Sequence, residues 1–195
     1  MFHTKLNVRP YRGLCNNTAL KYINFVVIFC LHLYALPTLA SEALPATGTI
    51  NVFFSPNGGE TEAVVKEINA AKSEILVQAY SFTSVNIAKA FIDAHKRGVK
   101  IFVLLDKSQK TARYSSATFL SNSGVPVLID NLHAIAHNKI IIIDKTVLIT
   151  GSFNFTKAAE EKNAENLLVM KGNQQLLDRY IKNFGEHTEH SAPFQ

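Results

Sequence analysis

A nearly continuous apolar run from Val99 to Leu105, interrupted only by Lys100, predicts a β-strand that is covered on both faces. Successive side chains of a strand point to opposite faces of the sheet, so a strand without polar alternation has to be packed on both sides. Such strands are typical of parallel sheets that lie between layers of helices. The run therefore indicates an α/β domain.

Strand and helix patterns alternate along the neighbouring sequence. Apolar residues at helical spacing follow Glu60 and Ser84, and Gly98 is well placed to end the second helix. The resulting βαβαβ order indicates a layered α/β domain, whereas two later strands joined through Asp144-Lys145-Thr146 predict a hairpin. We therefore predict an α/β fold with a mixed, largely parallel β-sheet that is flanked by helices on both faces. The predicted strands are 49–54, 75–80, 99–105, 125–129, 138–143, 147–150 and 167–170, and the predicted helices are 60–72, 84 or 86 to 98, 116–121 and 173–184.

The first forty residues differ from the rest of the chain in charge and hydropathy. They hold four basic residues and no acid, whereas 16 Lys and Arg stand against 15 Asp and Glu from Ser41 onward. A basic leader, the apolar run Phe25–Leu36 and a small residue at Ala40 are typical of a secretory signal. We expect a signal peptide over residues 1–40, cleaved near Ala40, and export to the periplasm or beyond the cell. The alternative is a retained membrane anchor over Ile23–Ala40, because a spanning helix needs about 20 apolar residues.

The chain after this segment has a nearly balanced charge and no cysteine. Its formal net charge of +1 does not favour a surface that coats nucleic acid. Cys15 and Cys30 both lie in the predicted signal, so the remaining chain has neither a disulfide nor a thiolate metal site. No repeat and no linker divides residues 45–190, which we predict to form a single domain.

Polar residues two positions apart lie at the start of the isoleucine-rich strand and just after the strand that follows it. On a strand His137 and Lys139 project to the same face, and Ser152 and Asn154 have the same spacing. A lysine offers charge to phosphate oxygens, and a neutral imidazole offers a nucleophile or a base. Asp144 points to the other face, so we expect a structural role for it at the turn. Taken singly, these residues also fit ordinary roles, since Asn154 could cap a helix and Gly151-Ser152 could form a turn.

In this order and spacing the residues match a specific pattern: His-x-Lys, four residues, Asp, six residues, then Gly-Ser-x-Asn. The chain resembles the phospholipase D superfamily, and in particular its small members with one such signature, which include a bacterial periplasmic endonuclease and the rickettsial-type phospholipase D. The segments Ala79–Thr83, Arg97–Lys100 and Asn163–Asn166 are also similar to that group. The resemblance covers about residues 50–185. It implies the phospholipase D/nuclease fold and a phospholipase D-like catalytic domain over 45–190.

The resemblance also implies roles for single residues. His137 would be the nucleophile that forms a phosphohistidine, and Lys139, Ser152 and Asn154 would bind the phosphate. Glu165 matches the acid that orients the histidine, although by itself it reads as a solvated loop residue. Gly151 and Asp144 would be structural parts of the motif.

A single His-x-Lys motif leaves one side of the phosphorus without a catalytic group, because in-line displacement needs a nucleophile on one side and a proton donor on the other. We therefore expect a homodimer with the active site on its twofold axis. Two Lys139 side chains would neutralise the phosphate, so we expect no cofactor and no metal. His187 and His190 read as a solvated chain end, since no carboxylate or cysteine cluster completes them in the sequence.

The substrate class stays open at the level of sequence. The catalytic residues suit any phosphodiester, either of a phospholipid headgroup or of DNA or RNA. Apolar residues before His137, among them Leu132 and Ile135, suit a lipid surface, with possible contact to a membrane. A basic cluster of Lys107, Lys110 and Arg113, with Tyr114 next to it, suits a polyanion or a solvated loop. We favour a secreted phospholipase D-type phosphodiesterase over a metal-independent, non-specific endonuclease, and both over a binding module without activity.

Overall fold

The computed structural model describes residues 43–195, so the predicted signal peptide or anchor over 1–40 lies outside the described residues. Within the described part no helix is long and apolar enough to cross a membrane. The strands are β1 (Thr49–Phe54), β2 (Glu74–Ala79), β3 (Lys100–Asp106), β4 (Val127–Asp130), β5 (Lys139–Ile143), β6 (Val147–Gly151), β7 (Asn166–Lys171) and β8 (Ser191–Pro193). The helices are α1 (Glu60–Ala70), α2 (Val85–Lys96), α3 (Ala117–Asn122), α4 (Lys157–Glu161) and α5 (Gln174–Glu189), with a 3₁₀ turn at Lys107–Lys110.

The strands form one mixed sheet in the order β1-β7-β6-β5-β2-β3-β4-β8. Strands β2, β3 and β4 are parallel neighbours, and the other pairings are antiparallel. The predicted mixed sheet between helices is thereby confirmed. The prediction that it is largely parallel is wrong, because two pairings of the described strands are parallel and five are antiparallel: the strands from β5 to β7 are joined through hairpin-type connections, not through crossover helices. The hairpin β5–β6 is also confirmed, and its turn has positive φ angles of 52° at Asp144 and 55° at Lys145.

Helices cover both faces of the sheet, as the apolar strands require. On strand β5, Ile141 and Ile143 join the larger core beneath α1, α2 and α3. Ile140 and Ile142 face the other way, into a smaller core against α5. A fully buried isoleucine side chain stabilises a fold by about 1.5–3 kcal/mol. Strand β5 is therefore firmly held from both sides, and it gives a rigid support to His137, which lies two residues before its first residue, Lys139.

The C-terminal region differs from its prediction. Helix α5 continues to Glu189 instead of ending at Phe184, and strand β8 follows it and pairs with β4. The prediction that His187 and His190 form a solvated end is wrong, because the longer helix carries both rings to the buried carboxylate of Asp130. The prediction that no carboxylate completes these two histidines is wrong for the same reason.

Candidate active site

The predicted site residues lie at one end of the sheet, where five adjacent strands begin or end. Strand register places Lys139 beside Ala79, and it places Ile140 beside Thr150, one residue before Gly151. Gly151 in turn pairs with Leu167 on β7, and Asn166 pairs with the end of β1. The motifs that carry His137, Ser152, Asn154 and Glu165 are thus brought together by strand pairing, although they are far apart in the sequence.

His137 ends the loop before β5 and is exposed to solvent. The backbone on both sides of it is held: Ala136 N–H donates to Asp106 Oδ2 (2.7 Å), and Tyr80 N–H donates to the Asn138 carbonyl (2.9 Å). The imidazole packs against the phenol ring of Tyr80, with ring centroids 4.5 Å apart at 51°. An imidazole that is exposed yet braced in this way is suited to attack an incoming group.

Lys139 is buried, with 6% of its surface exposed. Its ammonium group donates a hydrogen bond to the His137 carbonyl (2.8 Å) and lies 5.0 Å from the ring centroid of Tyr80. Burial lowers the pKa of Lys139 below its usual value, and the negative charge of Glu165 raises it in part. The cation is therefore desolvated but held beside His137, where a phosphate would be a strong partner for it.

Gly151 and Ser152 are fixed against Asn166 at the start of β7. A Cβ atom on Gly151 would lie 2.2 Å from the Asn166 carbonyl oxygen, so only glycine fits there. Ser152 Oγ accepts hydrogen bonds from Asn166 N–H (3.0 Å) and Asn166 Nδ2 (3.4 Å). A hydroxyl has two acceptor positions and one donor, so Ser152 keeps its proton for a further partner such as a phosphate oxygen.

Asn154 carries a buried amide oxygen without a hydrogen-bond partner in the structure. The alternative that Asn154 caps the following helix is wrong, because the Thr156 hydroxyl does so by accepting from Ala159 N–H (3.1 Å). A buried polar group without a partner is costly in a folded protein. The amide is therefore poised for a ligand, to which it can present either its oxygen or its N–H groups.

Glu165 lies just before β7 and is joined to the end of β1. Its backbone N–H donates to Ser55 Oγ (3.0 Å), and its carbonyl accepts from Ser55 N–H (3.2 Å). Its carboxylate accepts from Asn163 Nδ2 (3.0 Å) and acts electrostatically on Lys139. That Glu165 orients His137 stays a prediction.

Asp144 lies at the opposite end of β5 from His137. Its carboxylate accepts hydrogen bonds from the backbone N–H groups of Lys72 (2.9 Å), Ser73 (2.8 Å) and Glu74 (3.0 Å), and from Ser73 Oγ (2.7 Å). These contacts join the β5–β6 turn to the segment that leads into β2. The geometry supports the structural role expected for Asp144.

The glycine-rich segment before α1 does not present free amides to a phosphate. The carboxylate of Glu160 accepts from Gly59 N–H (3.2 Å) and Thr61 N–H (2.7 Å) at the start of that helix. The chain itself therefore occupies these two amides.

Tyr80 is the site residue that sequence reasoning missed. It follows directly on β2 and contacts both His137 and Lys139. Its segment, Ala79–Thr83, could be recognised as similar to the superfamily, but the contacts follow from the antiparallel pairing of β2 with β5. That pairing joins strands about sixty residues apart and is not visible in local sequence.

Comparison with known proteins gives relatives along most of this chain. A family model described as cardiolipin synthase, PLD-like domain, matches residues 64–188. A phospholipase D of Rickettsia typhi is 38% identical over 162 residues, which cover 83% of this chain and 76% of that protein. The mitochondrial cardiolipin hydrolase of Mus musculus is 32% identical over 126 residues, which cover 65% of this chain and 55% of that protein.

Solved structures give the same result. Nuc from Salmonella typhimurium, a phospholipase D family member, superposes with a TM-score of 0.73 at 36% identity and covers 76% of this chain and 99% of its own. NucT from Helicobacter pylori has a TM-score of 0.69 at 23% identity over 76% of this chain and 100% of its own, a likeness of fold. By its sequence, its fold and these relatives, the chain belongs to the phospholipase D superfamily and is a hydrolase of phosphodiester bonds.

Proposed function

We propose that this protein is a phospholipase D-type enzyme that cleaves phospholipid headgroups through a phosphohistidine on His137. The observation that carries the proposal is the arrangement of His137 and Lys139 around Tyr80: an exposed imidazole and a buried ammonium group contact one aromatic ring. This arrangement supplies a nucleophile and a desolvated positive charge side by side. Both are needed to attack a phosphodiester, whose negative charge otherwise repels nucleophiles.

The phosphate would be held by Lys139, Ser152 and Asn154. The ammonium group of Lys139 supplies charge, and the Ser152 hydroxyl has a proton that its bonds to Asn166 do not use. The amide of Asn154, whose buried oxygen lacks a partner, can turn its N–H groups to donate to the phosphate. Preorganised donors of this kind stabilise the additional charge on the phosphoryl oxygens in the transition state.

The proposed reaction has two steps, formation of the phosphohistidine and its hydrolysis. A ring nitrogen of His137 attacks phosphorus, the bond from phosphorus to the headgroup oxygen breaks, and that oxygen takes a proton from His137 of the partner subunit. Water next attacks the phosphohistidine, gives its proton to the partner's His137, and breaks the phosphorus–nitrogen bond. The products are the headgroup alcohol and phosphatidic acid, and both histidines return to their starting states. One chain offers one such histidine, so this scheme requires a homodimer with the site on its twofold axis.

Mixed dimers test the shared site. A wild-type chain paired with a His137→Ala chain keeps one nucleophile but loses its proton-donating partner. We expect far less than half of the wild-type turnover per dimer, measured after separation of the species by two different tags. Half-activity in the mixed dimer, or full activity of a monomer in sedimentation at assay concentration, would contradict the shared site.

Exposed apolar residues beside the nucleophile favour a lipid substrate. Leu132 is 67% exposed and Ile135 is 59% exposed, and both lie in the loop that leads to His137. A relative in Rickettsia typhi bears the name phospholipase D, which agrees with this choice. The alternative substrate is DNA or RNA, because Nuc is a structural neighbour and because Lys107, Lys110 and Arg113 form an exposed basic cluster.

The substrate is tested by parallel assays on phosphatidylcholine vesicles, single- and double-stranded DNA, and RNA, each at two salt concentrations. We expect headgroup release that depends on vesicle surface and falls in Ile135→Ser. The matched variant Lys110→Ser should keep its headgroup release, and it should lose activity only if the enzyme is a nuclease. Nuclease activity should also weaken steeply as the salt concentration rises. Degradation of nucleic acid at low enzyme concentration, with no headgroup release at a hundredfold more enzyme, would overturn the phospholipid assignment. His137→Ala has to be inactive in every assay, which excludes a contaminant.

Export after cleavage near Ala40 is part of the same proposal. Expression of the full chain with a C-terminal tag should yield a product that begins close to Ser41 in the exported fraction. A full-length product that stays with the membrane would instead establish the anchor.

A further inference from the structure

A second cluster of chemically active side chains lies on the same end of the sheet as the active site but outside it. Asp130, His133, His187 and His190 each offer one ligand atom, and these atoms all lie within 4.8 Å of one another. Three imidazole nitrogens converge on a single atom, Asp130 Oδ2: His133 Nδ1 at 2.8 Å, His187 Nδ1 at 2.8 Å and His190 Nε2 at 3.4 Å.

The backbone fixes two of these ligands on each side of the cluster. Asp130 ends β4, and His133 follows three residues later in the loop before β5. His187 lies in the last turn of α5, and His190 is the residue after the helix end. Two short pairs from distant parts of the chain are the usual way in which a small protein site surrounds a zinc ion.

The two oxygens of Asp130 are divided between different tasks. Oδ1 accepts from the backbone N–H groups of Leu132 (3.0 Å) and His133 (3.2 Å), which sets the orientation of the carboxylate. Oδ2 is left to face the three imidazoles. The residue is completely buried, whereas the His133 side chain is 43% exposed and can readjust. The backbone hydrogen bonds to Oδ1 thus orient the carboxylate so that Oδ2 and three imidazoles can serve together as metal ligands.

We propose that Asp130, His133, His187 and His190 form a structural Zn²⁺ site. Zinc accepts imidazole nitrogen and carboxylate oxygen at about 2.0–2.2 Å in a tetrahedron, whose ligand atoms are then roughly 3.3 Å apart. The contacts of 2.8–3.4 Å to Asp130 Oδ2 are within about half an ångström of that spacing. Rotation of the partly exposed His133 ring and of the histidines at the helix end closes the longer separations. Four protein ligands leave no open position, so the ion has a structural and not a catalytic role.

Such an ion would join the C-terminus of the fold to the loop that leads to the nucleophile. Strand β8 pairs with β4 over only three residues, and α5 ends beside it. The loop from Asp130 to His137 is otherwise held by Asp106, which accepts from Ala136 N–H, and by Lys107, whose ammonium group donates to the His133 carbonyl (2.9 Å). The ion would add a cross-link between these distant segments, where β4 and β8 are joined by only three paired residues.

Metal binding is measured on the full chain with Cys15→Ser and Cys30→Ser, so that thiolates do not compete. Protein stripped with a chelator is titrated with Zn²⁺ against a chromophoric chelator. We expect one Zn²⁺ per chain, and Co²⁺ in its place should give the visible spectrum of a tetrahedral site. His187→Gln and His190→Gln should each lose at least about a hundredfold in affinity, whereas His95→Gln, a histidine outside the cluster, should bind as the parent does.

Stability gives a second readout that does not depend on activity. Ligand that binds only the folded state at a thousand times its Kd raises the ratio of folded to unfolded protein about a thousandfold. Zinc should therefore raise the thermal midpoint of the parent and of His95→Gln but not of His187→Gln. Hydrogen exchange in the parent should slow on zinc binding at residues 131–133 and 187–193, a test that needs no variant.

Zinc affinity and stability decide whether the zinc site exists. Equal zinc affinity in the parent and in His187→Gln, or an unchanged thermal midpoint and unchanged exchange in the parent, would overturn the site and leave a hydrogen-bonded histidine cluster. Phosphodiesterase activity is recorded separately at low temperature, where the folded chain stripped of metal should keep its rate. The zinc site and the phosphohistidine mechanism can therefore fail independently.

Discussion

The phenol ring of Tyr80 lies 4.5 Å from the imidazole of His137, and its centroid lies 5.0 Å from the ammonium group of Lys139. One aromatic side chain thus contacts both the proposed nucleophile and the proposed phosphate-binding cation. Because Tyr80 reaches the chemistry through these two residues, its role is one of positioning.

Replacement of this ring should lower the rate without unfolding the protein. A cation–π contact of a buried ammonium group stabilises it by about 1–2 kcal/mol, so Tyr80→Leu should lower kcat roughly tenfold. Tyr80→Phe keeps the ring and should stay near the wild-type rate. Steady-state kinetics of both variants measure this, and equal losses in the two would mean that the hydroxyl, not the ring, is what matters.

Glu165 should influence the alkaline side of the pH profile. Burial lowers the pKa of Lys139, and the carboxylate of Glu165 raises it in part. Lys139 binds phosphate as the cation, so activity should fall as the pH rises through its pKa. Glu165→Gln removes the negative charge that raises the pKa of Lys139, so the alkaline limb of kcat/KM should move to lower pH. The control is Glu161→Gln, an exposed residue of α4 that pairs with Lys157, which should leave the limb in place. An unmoved limb in Glu165→Gln would contradict this coupling.

Asp144 should contribute to stability and not to chemistry. Burial by itself would raise the pKa of Asp144, but hydrogen bonds from Glu74 and Ser73 hold it below its usual value. A carboxylate with a lowered pKa stabilises the fold above its unfolded-state pKa, and this stabilisation is lost as the pH falls through the folded-state pKa. Asp144→Asn should therefore cost about 2 kcal/mol at pH 7 and less below pH ~4.

Urea unfolding at both pH values measures this difference. Asp93→Asn is the matched control, because its carboxylate is exposed and pairs only with Lys96 in the same helix. It should change the free energy of unfolding by no more than about 0.5 kcal/mol. A folded Asp144→Asn protein that has lost its turnover would instead place Asp144 in the chemistry.

How far the sequence predicts this molecule depends on the distance over which each contact is formed. The pairing of His137 with Lys139 could be predicted, because residues two apart on a strand share a face. The apolar run Val99–Leu105 likewise predicted a strand covered on both sides, since the alternation of faces is a local property. Both inferences use neighbouring residues only.

Contacts between distant segments could not be predicted in this way. Tyr80 reaches His137 through the pairing of β2 with β5, and His187 reaches Asp130 because α5 runs five residues past Phe184. The sequence after Gly185 is polar and has little helical patterning of apolar residues, so local pattern predicts an end at Phe184, earlier than the observed end at Glu189. The end position matters because it decides whether two histidines lie in solvent or around a buried carboxylate.

Chemical trapping of the intermediate tests the phosphohistidine on His137 itself. Phospholipid labelled in its phosphate is mixed with the full chain, sampled within the first turnover and quenched in alkaline denaturant, because a phosphorus–nitrogen bond hydrolyses in acid. Peptide mass spectrometry should then find the phosphatidyl group on His137 in the wild type and on no residue in His137→Asn. Label on another residue such as Ser152, or a His137→Asn variant that turns over substrate near the wild-type rate, would contradict the phosphohistidine mechanism.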